Sequence, residues 1–243
     1  MEWHDEGIVL TARKHGENSA IISLLTRSHG RHLGLVRGAM SSNKRALFQP
    51  GNRVRATWRA RLADHLGSFT CEMTAAIAAP FMEDRLRLSA LSAVCAVAET
   101  ALPEREPFSR VYEGLNILIN VLDEEIWPTI YVKWELGLLQ ELGFQLDLSR
   151  CAVSGETGNL THVSPKTGRA VSEPKAEPYK HVLLRLPAFL VEPSKATSWS
   201  DILDGLRLTG FFLETQVLNQ RHNNQALPAR RRLLDLVEKQ IAA

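Results

Sequence analysis

The residues with the clearest chemical potential are cations, and they cluster in one stretch of the chain. Residues 27–61 contain nine Lys or Arg and no Asp or Glu, although the whole chain has a net charge of only +2. Like charges on one surface repel one another unless an anion lies against them. The stretch therefore predicts a surface that binds a polyanion, and the most obvious polyanion is nucleic acid.

The end of this stretch alternates between charged and apolar residues. Successive side chains of a β-strand point to opposite faces, so residues 53–61 predict a strand with one cationic and one apolar face. Trp58 has the apolar parity, which favours a place in the core. The alternative is an ordinary strand whose arginines contact only water.

A loop carrying more cations precedes this strand. Residues 38–51 begin and end with Gly and carry Lys44 and Arg45 between two predicted strands, and they predict a flexible loop that could wrap a phosphate backbone. Phe48 is the candidate for stacking on a base. The predicted nucleic-acid contacts are Arg31, Arg37, Lys44, Arg45, Arg53, Arg55, Arg59 and Arg61.

Short strands are expected to position these residues. Within residues 1–80 the apolar pattern predicts strands at 7–13, 20–27, 31–37, 53–61 and 67–73. Five short strands with one long loop fit a small closed barrel of the OB type or an SH3-like barrel. The OB type is preferred, although composition alone does not separate the two.

The period of the apolar residues becomes helical after Pro80. Helices are predicted over 86–98, 108–122 and 127–142, with Pro128 in the first turn of the third and Gly143 just after it. Residues 150–180 predict an irregular insert, with room for a short hairpin. A further helix is expected to be capped by Ser200 or Asp201 and to run toward residue 218, before a last helix at 229–243. The fold class is therefore α+β, with a barrel domain at 1–80 and a helical domain at 81–243.

Charge is unevenly distributed along the chain. Residues 1–80 have a net charge of +5, residues 81–150 of −6 and residues 151–243 of +3. This asymmetry suggests two units with different partners. Arg230, Arg231 and Arg232 lie near the start of the last helix, where cations oppose the helix dipole. They could face an acidic partner, the acidic middle of the chain, or solvent.

Recognisable catalytic motifs are missing from the sequence. It contains no phosphate-binding P-loop, no G-x-S-x-G elbow and no H-E-x-x-H zinc motif. His29 and His32 stand among arginines that would repel a metal ion, and they are interpreted as surface or DNA-facing residues. We therefore expect neither an enzyme nor a cofactor.

Composition points to a cytoplasmic protein. The three cysteines are scattered, which favours a reducing compartment over a disulfide framework. The sequence contains no run of about 18 apolar residues, so no membrane-spanning helix is predicted. The acidic first residues do not resemble a signal peptide.

Several segments together resemble the RecO family of bacterial recombination mediators in the RecF pathway. They are Glu6-Gly-Ile-Val-Leu, Gly30-Arg-His-Leu-Gly-Leu-Val-Arg-Gly-Ala, the Lys44-Arg45 loop, Leu47-Phe-Gln-Pro-Gly, and Glu135-Leu-Gly-Leu-Leu-Gln-Glu-Leu-Gly-Phe followed by Asp147-Leu and Cys151. The resemblance implies an OB-fold, a helical domain and a zinc-finger-like insert. It implies binding of single- and double-stranded DNA, strand annealing, and loading of RecA together with RecR onto DNA coated by single-strand binding protein. It also implies a cytoplasmic, nucleoid-associated location.

The insert departs from the family pattern. Many members have two C-x-x-C pairs there, whereas this chain keeps Cys151 and has Ser154, Ser172 and Lys175 near the other positions. A structural zinc ion needs four ligands, usually Cys or His, and Cys151 with His162 supplies at most two. We therefore expect no zinc. Lys166 and Arg169 either add DNA contacts or contact only water.

Two other functional classes fit the same residues. An RNA-binding OB-fold protein would have the same basic barrel, and relative affinity for RNA and DNA distinguishes it. A helical protein-interaction scaffold would use the acidic middle of the chain, and it would bind DNA negligibly at about 0.15 M salt.

Overall fold

The structure is a computed structural model that describes residues 1–192, 194–218 and 227–242. It divides into two compact units, Met1–Asn120 and Val121–Ala243. The boundary predicted near residue 80 marks the change from strands to helices. As a boundary between domains it stays a prediction.

A closed five-stranded barrel forms most of the first unit. The strands close in the order β1-β2-β3-β5-β4, which is the order of an OB-fold. All neighbours are antiparallel except β3 and β5, which meet in parallel at Leu35 and Ser68. The strands are β1 (Glu2–His15), β2 (Ser19–Thr26), β3 (Gly30–Val36), β4 (Arg53–Arg59) and β5 (Ser68–Ala75). The α+β class and the OB-like barrel are thus confirmed.

Strand β4 has the alternating character that its sequence predicts. Val54, Ala56 and Trp58 are buried in the barrel core, and Trp58 is only 2% exposed. Arg55 and Arg59, on the opposite parity, are exposed. The period of two therefore separates the core face from the charged face of this strand.

The loop between β3 and β4 contains a short helical turn. This turn is α1 (Ser42–Arg45), and it carries Lys44 and Arg45 at its end. Two contacts hold the remainder of the loop: Phe48 is buried in the barrel core, and the side-chain amide of Asn52 donates to the carbonyl of Ala46 over 2.9 Å. The predicted loop is therefore anchored to the barrel after its cationic turn.

Two helices complete the first unit. Asp84 caps α2 (Arg85–Ala101) by accepting from two backbone amides, and α3 (Ser109–Asn120) follows. The Ser23 hydroxyl donates to the Glu99 carboxylate of α2. The segment after α2 is also bound to the barrel, because the amide of Arg105 donates to the carbonyl of Arg31 over 2.7 Å. These polar contacts join the helical segment directly to the barrel strands.

The second unit combines three long helices with a small sheet. The helices are α4 (Trp127–Glu141), α6 (Trp199–Phe212) and α7 (Pro228–Ala242), and a π-helical segment, Leu213–Leu218, follows α6. The sheet has the order β7-β6-β8 and contains β6 (Leu160–Val163), β7 (Ala170–Ser172) and β8 (Leu184–Arg185), with α5 (Glu173–Ala176) after β7. Strands β6 and β7 form the predicted hairpin of the insert.

The ends of two helices test the predicted boundaries. Pro128 lies in the first turn of α4, and Gly143 follows the helix with a φ of 90°, as the sequence predicts. The predicted cap of α6 is wrong. Ser198 is the cap, because its hydroxyl accepts from the amide of Asp201 while the Asp201 carboxylate accepts from the amide of Ser198. This reciprocal capping box fixes the start of the helix two residues earlier than Ser200.

An ion pair between α7 and α4 lies inside the second unit. Arg230 donates from Nε and Nη2 to the two carboxylate oxygens of Glu135 over 2.7 and 2.8 Å. The Arg230 side chain is 7% exposed and that of Glu135 is fully buried. Gly210 of α6 leaves room for the guanidinium, since a Cβ there would lie 2.4 Å from Nη1. Arg230 therefore faces the chain's own acidic middle, while Arg231 and Arg232 are exposed.

Within the described ranges, no helix is both long and apolar enough to cross a bilayer.

Candidate nucleic-acid interface

The cationic face of β4 lies between two strands that carry carboxylates. Arg59 pairs across the sheet with Glu2 of β1, and Nη2 of Arg59 lies 2.8 Å from its carboxylate. Arg55 pairs with Glu6 of β1 and with Glu72 of β5, whose carboxylate is 4.0 Å away. The arginines of this face therefore already have anions beside them, supplied by the protein itself.

The pairing of Arg59 with Glu2 shifts the titration of both groups. The hydrogen bond between them lowers the pKa of the Glu2 carboxyl and raises the pKa of the Arg59 guanidinium. Both side chains are largely exposed, 40% for Glu2 and 68% for Arg59. Because water and salt screen such a pair, a phosphate can compete with Glu2 for Arg59.

Two of the predicted contacts are engaged inside the first unit. Arg31 is 14% exposed, donates from Nε to the carbonyl of Leu102 over 2.9 Å, and lies 3.6 Å from the Glu99 carboxylate. Arg53 is half-buried and donates to the side chain of Asn120 over 2.7 Å. These contacts join the barrel to the helices α2 and α3. They argue against a direct role for Arg31 in binding nucleic acid.

A groove beside the parallel contact of β3 and β5 brings two other predicted cations together. Its volume is about 400 Å³. Arg37, just after β3, and Lys44, on α1, line it together with the hydroxyls of Ser68 and Thr70 on β5. Both cations are exposed. Among the described residues that line it there is no Asp or Glu, so these cations lack the neighbouring carboxylates that the arginines of β4 have.

Arg45 and Arg61 are both exposed, and each lies close in sequence to a segment that lines the groove. Arg45 is the last residue of α1, directly after Lys44, and Arg61 follows β4. Neither lines the groove. They remain predicted contacts.

Phe48 is placed differently from its predicted role. It is 4% exposed and packs in the barrel core, where it forms part of the floor of the groove. A base could stack on this ring only if the loop left the core, which argues against the predicted stacking. The alternation of a strand predicts that Trp58 is buried. An irregular loop has no such alternation, so the sequence does not predict that Phe48 is buried.

The two histidines of the basic stretch are also not free surface residues. His32 is 3% exposed and packs edge-on against the rings of Trp3 and Trp58. Burial lowers the pKa of His32, which favours the neutral ring at pH 7. His29 stacks on Trp3 with ring centroids 4.1 Å apart, and its Nδ1 lies 3.1 Å from the Asp5 carboxylate. The interpretation of His32 as a surface or DNA-facing residue is therefore wrong.

The sequence alone does not identify the carboxylates that lie beside the arginines of β4. Glu2 and Glu72 lie far from β4 in sequence, and only the strand register places them beside Arg59 and Arg55. Ser68 alternates with the buried Phe69 on β5. That alternation is the one signal in the sequence that could have identified β5 as a hydroxyl-bearing wall.

The insert does not offer a zinc site. The Cys151 sulfur accepts from the amides of Ser154 and Ser172 at 3.5 and 3.4 Å, and from the Ser172 hydroxyl at 3.4 Å. His162 is buried beside Thr161, with its Nδ1 2.9 Å from the Thr161 hydroxyl. Serine hydroxyls are not the ligands that structural zinc takes. In the described part of the chain, no group of three or more His, Cys, Asp or Glu could hold a metal ion.

The hydrogen bonds around Cys151 change its acidity. Burial raises the pKa of this thiol, but the donors of Ser154 and Ser172 outweigh burial and lower the pKa to about 6. A thiolate accepting N–H and O–H donors is stabilised relative to the thiol. Serine donors thus surround the Cys151 sulfur within the insert.

Comparison with known proteins shows two family models that follow one another along the chain. Residues 1–76 match the family model described as Recombination protein O N terminal, and residues 82–225 match Recombination protein O C terminal. The chain is 49% identical to a protein of Rhodospirillum rubrum over 100% of this chain and 99% of the relative. It is 49% identical to one of Rhodospirillum centenum over 98% and 96%, and 44% identical to one of Ruegeria sp. over 99% and 100%. Each of the three is named DNA repair protein RecO.

Proposed function

The chain belongs to the RecO family of DNA repair proteins, and from this premise we propose that its barrel binds single- and double-stranded DNA. The observation that carries the proposal is the groove between β3 and β5. Arg37 and Lys44 line it without a carboxylate beside them. An uncompensated cation on a surface attracts phosphate, and releasing the counterions of DNA drives binding.

Strand annealing follows from the same electrostatics. Two complementary strands repel each other through their phosphates, and a cationic surface that binds both lowers this repulsion. The groove supplies a local cationic site, and Arg45, Arg55, Arg59 and Arg61 add further exposed cations to the first unit. Annealing needs only base pairing between the two bound strands. The proposal therefore assigns no catalytic residue and no cofactor.

Family membership supports the wider role and the partners. We propose that the protein acts with RecR to load RecA onto DNA coated by single-strand binding protein, in the cytoplasm at the nucleoid. The second unit, with its helical body and strand-containing insert, is the part of the chain available for protein contacts beyond the barrel. This division assigns DNA to the first unit and leaves proteins to the second.

The first experiment measures binding of a labelled single-stranded oligonucleotide by fluorescence anisotropy at several salt concentrations. We expect binding that weakens as salt rises, with a slope of log affinity against log salt of about −0.7 for each phosphate contacted. Base sequence should matter little. Binding that does not depend on salt, or no binding at low salt, would contradict the proposal. Tighter binding of an RNA of the same sequence would favour the RNA-binding class.

The second experiment tests annealing with a charge-reversed variant. Lys44→Glu, Arg45→Glu, Arg55→Glu and Arg59→Glu together should abolish annealing of complementary oligonucleotides. Arg231→Glu with Arg232→Glu is the control for charge reversal outside the barrel, because these arginines are exposed on α7. Circular dichroism shows whether each variant is folded. Undiminished annealing by the folded quadruple variant would refute the assignment of the barrel.

A further inference from the structure

The groove beside β3 and β5 lies where these two strands barely meet. Strand β5 pairs with β4 from Ser68 to Ala75, but it pairs with β3 only through Leu35 and Ser68. Strand β3 ends at Val36. From Thr70 onward, the side of β5 that faces away from β4 therefore has no strand beside it in the described chain. The N–H and C=O groups along such a strand edge are available to a ligand.

The groove also has apolar lining residues. Leu35 and Leu47 line it and are half-buried, so part of each side chain is still exposed. Phe48 and Phe69 line it as well, and each is 4% exposed. Apolar surface in contact with water is unfavourable. A ligand with an apolar part that covers these residues therefore gains affinity that a phosphate group alone does not.

Polar and charged groups line the same groove. The exposed Arg37 and Lys44 supply positive charge, and Ser68 and Thr70 supply exposed hydroxyls on β5. A hydroxyl can both donate and accept a hydrogen bond, so these two residues suit the polar edge of any base. The groove volume of about 400 Å³ lies within the range of pockets that bind small organic groups.

We propose that this groove holds one unpaired nucleotide of a DNA strand, with its base against the apolar lining and its phosphates beside Arg37 and Lys44. The inference rests on the proposed binding of DNA by the barrel, and it adds the form of DNA that the groove selects. Phe48 stays in the core, so the base covers the exposed parts of Leu35 and Leu47 and does not stack on the phenylalanine ring.

The groove would distinguish unpaired DNA from an intact duplex. In a duplex each base is stacked and paired, and removing it from the stack costs free energy, whereas a base that is already unpaired costs least. The exposed Arg55 and Arg59 contact phosphates, which both forms of DNA carry. During annealing, a nucleotide that has found its complement would no longer occupy the groove. Pairing would therefore weaken the hold on the product relative to the two separate strands.

The cations favour a nucleotide over an extended peptide. A peptide strand could also pair with the open edge of β5. Every nucleotide in a strand has a phosphate beside it, however, and two exposed cations without a neighbouring carboxylate suit such a ligand. The decisive difference is the base, so the test varies the base and keeps the backbone.

The test measures binding of the full chain to three labelled duplexes by fluorescence anisotropy at low salt. One duplex is intact, the second has one extra thymidine in one strand, and the third has an abasic residue in place of that thymidine. The second and third have the same backbone. We expect the thymidine bulge to bind at least about tenfold more tightly than the other two. Equal binding of the thymidine and abasic bulges would overturn the proposal.

Variants then locate the site. Thr70→Leu narrows the groove and removes one hydroxyl, so the ratio of thymidine-bulge to abasic-bulge affinity should fall at least about threefold. Thr74→Leu is the matched control, because Thr74 is exposed on the same strand with the same parity and does not line the groove. Its ratio should equal that of the parent.

A second variant covers the case in which Thr70→Leu does not fold, as judged by circular dichroism. Ser68→Ala with Thr70→Ala removes both hydroxyls without adding volume, and it should also lower the ratio at least about threefold. An unchanged ratio in the folded variants would contradict the assignment of the base to this groove.

Two outcomes separate this inference from DNA binding itself. No binding of any DNA at low salt would contradict the proposed function and the inference with it. Equal, salt-dependent binding of all three duplexes would leave the proposed function standing and overturn only the inference.

A free nucleotide is the other source of the same chemistry. Thymidine monophosphate lacks the neighbouring phosphates that keep a strand on the barrel, so about 1 mM of it should not displace the bulged duplex. Displacement at that concentration would assign the groove to a free nucleotide and overturn the proposal.

Discussion

An arginine on the barrel and an arginine in the second unit each bind a glutamate at nearly the same distance, yet one pair is exposed to water and the other is buried. Arg59 and Glu2 are 2.8 Å apart with side chains 68% and 40% exposed. Arg230 and Glu135 are 2.7 Å apart with side chains 7% and 0% exposed. Water screens the first pair and is excluded from the second. The first pair can therefore exchange its partner for a ligand, whereas the second fixes helices in place.

The cysteines show the same dependence on surroundings. Burial raises the pKa of Cys71 and of Cys95 in the first unit to about 12. In the second unit, hydrogen-bond donors overcome burial and lower the pKa of Cys151 to about 6. A buried group is therefore neutral in an apolar setting and charged where donors converge on it.

The largest expected effect comes from breaking the buried pair. Arg230→Met leaves the Glu135 carboxylate without its cation inside the second unit, which should lower the free energy of unfolding by about 3–5 kcal/mol. Urea denaturation followed by circular dichroism measures this change. Arg231→Met is the control, because Arg231 is exposed on the same helix. Adding Glu135→Leu to Arg230→Met should restore much of the stability, and equal stability of Arg230→Met and the control would contradict the interpretation.

A smaller effect is expected from the uncompensated cations of the barrel groove. Arg37→Glu with Lys44→Glu should weaken binding of single-stranded DNA about a hundredfold at low salt and make the salt slope less negative by about 1.4. The anisotropy titration measures both quantities. The comparison pair is Arg55→Glu with Arg59→Glu, where carboxylates already lie nearby. If this pair weakened binding more than the groove pair, local compensation would not be what distinguishes the two surfaces.

The cysteine comparison is sharpened by removing one donor. Ser172→Ala deletes the hydroxyl that donates to the Cys151 sulfur, which should raise the pKa of this thiol by about one unit. Thiolate absorbance near 240 nm measures it, because the other two thiols, with pKa values of about 12, stay protonated below pH 8. A midpoint that does not move would assign the low pKa to the amide donors alone.

The same thiol predicts a dependence of stability on pH. The folded pKa of Cys151, about 6, lies below the ordinary value of 9.0, so the unfolded chain binds more protons between these two values. Stability from this group should therefore rise as pH increases above about 6 and should be lost as pH falls through 6. Urea midpoints of the parent and of Cys151→Ala, measured from pH 5 to 8, should converge at the acidic end. Parallel curves would contradict the prediction.

The smallest effect is expected from breaking the exposed pair. Glu2→Gln removes the carboxylate that competes for Arg59, so single-stranded DNA affinity should rise by less than about threefold. The melting temperature should not change measurably, because screened exposed pairs contribute little. A clear loss of stability would show that the Arg59–Glu2 pair behaves like the buried pair.

Local patterns predicted the barrel well, because they depend on neighbouring residues. The alternation of β4 and the Pro128 and Gly143 signals of α4 lie within a few residues of the features that they predict. Apart from the cap of α6, the contacts that the sequence did not predict involve partners distant in sequence. Glu2 lies 57 residues from Arg59, and Glu135 lies 95 residues from Arg230. Register and helix packing decide those contacts, and no local period encodes them.

The candidate site shows the same limit. A run of cations without acids predicts a charged surface, but the run does not show which of its members have carboxylates opposite them. Arg31 and Phe48 belong to the run or its loop, yet both are engaged inside the first unit. Exposure and cross-strand neighbours, rather than residue type, separate Arg37 and Lys44 from the others.

The contacts between the barrel and the helices that follow it determine how long a segment must be to transfer the barrel intact to another protein. The Arg31 backbone accepts from the amide of Arg105, its side chain reaches Leu102, and Ser23 donates to Glu99. A transplant that ended after β5 would sever all three links and would expose the barrel's contact side. A barrel transferred to another protein would therefore have to include the chain through residue 120, so that α2 and α3 stay bound to it.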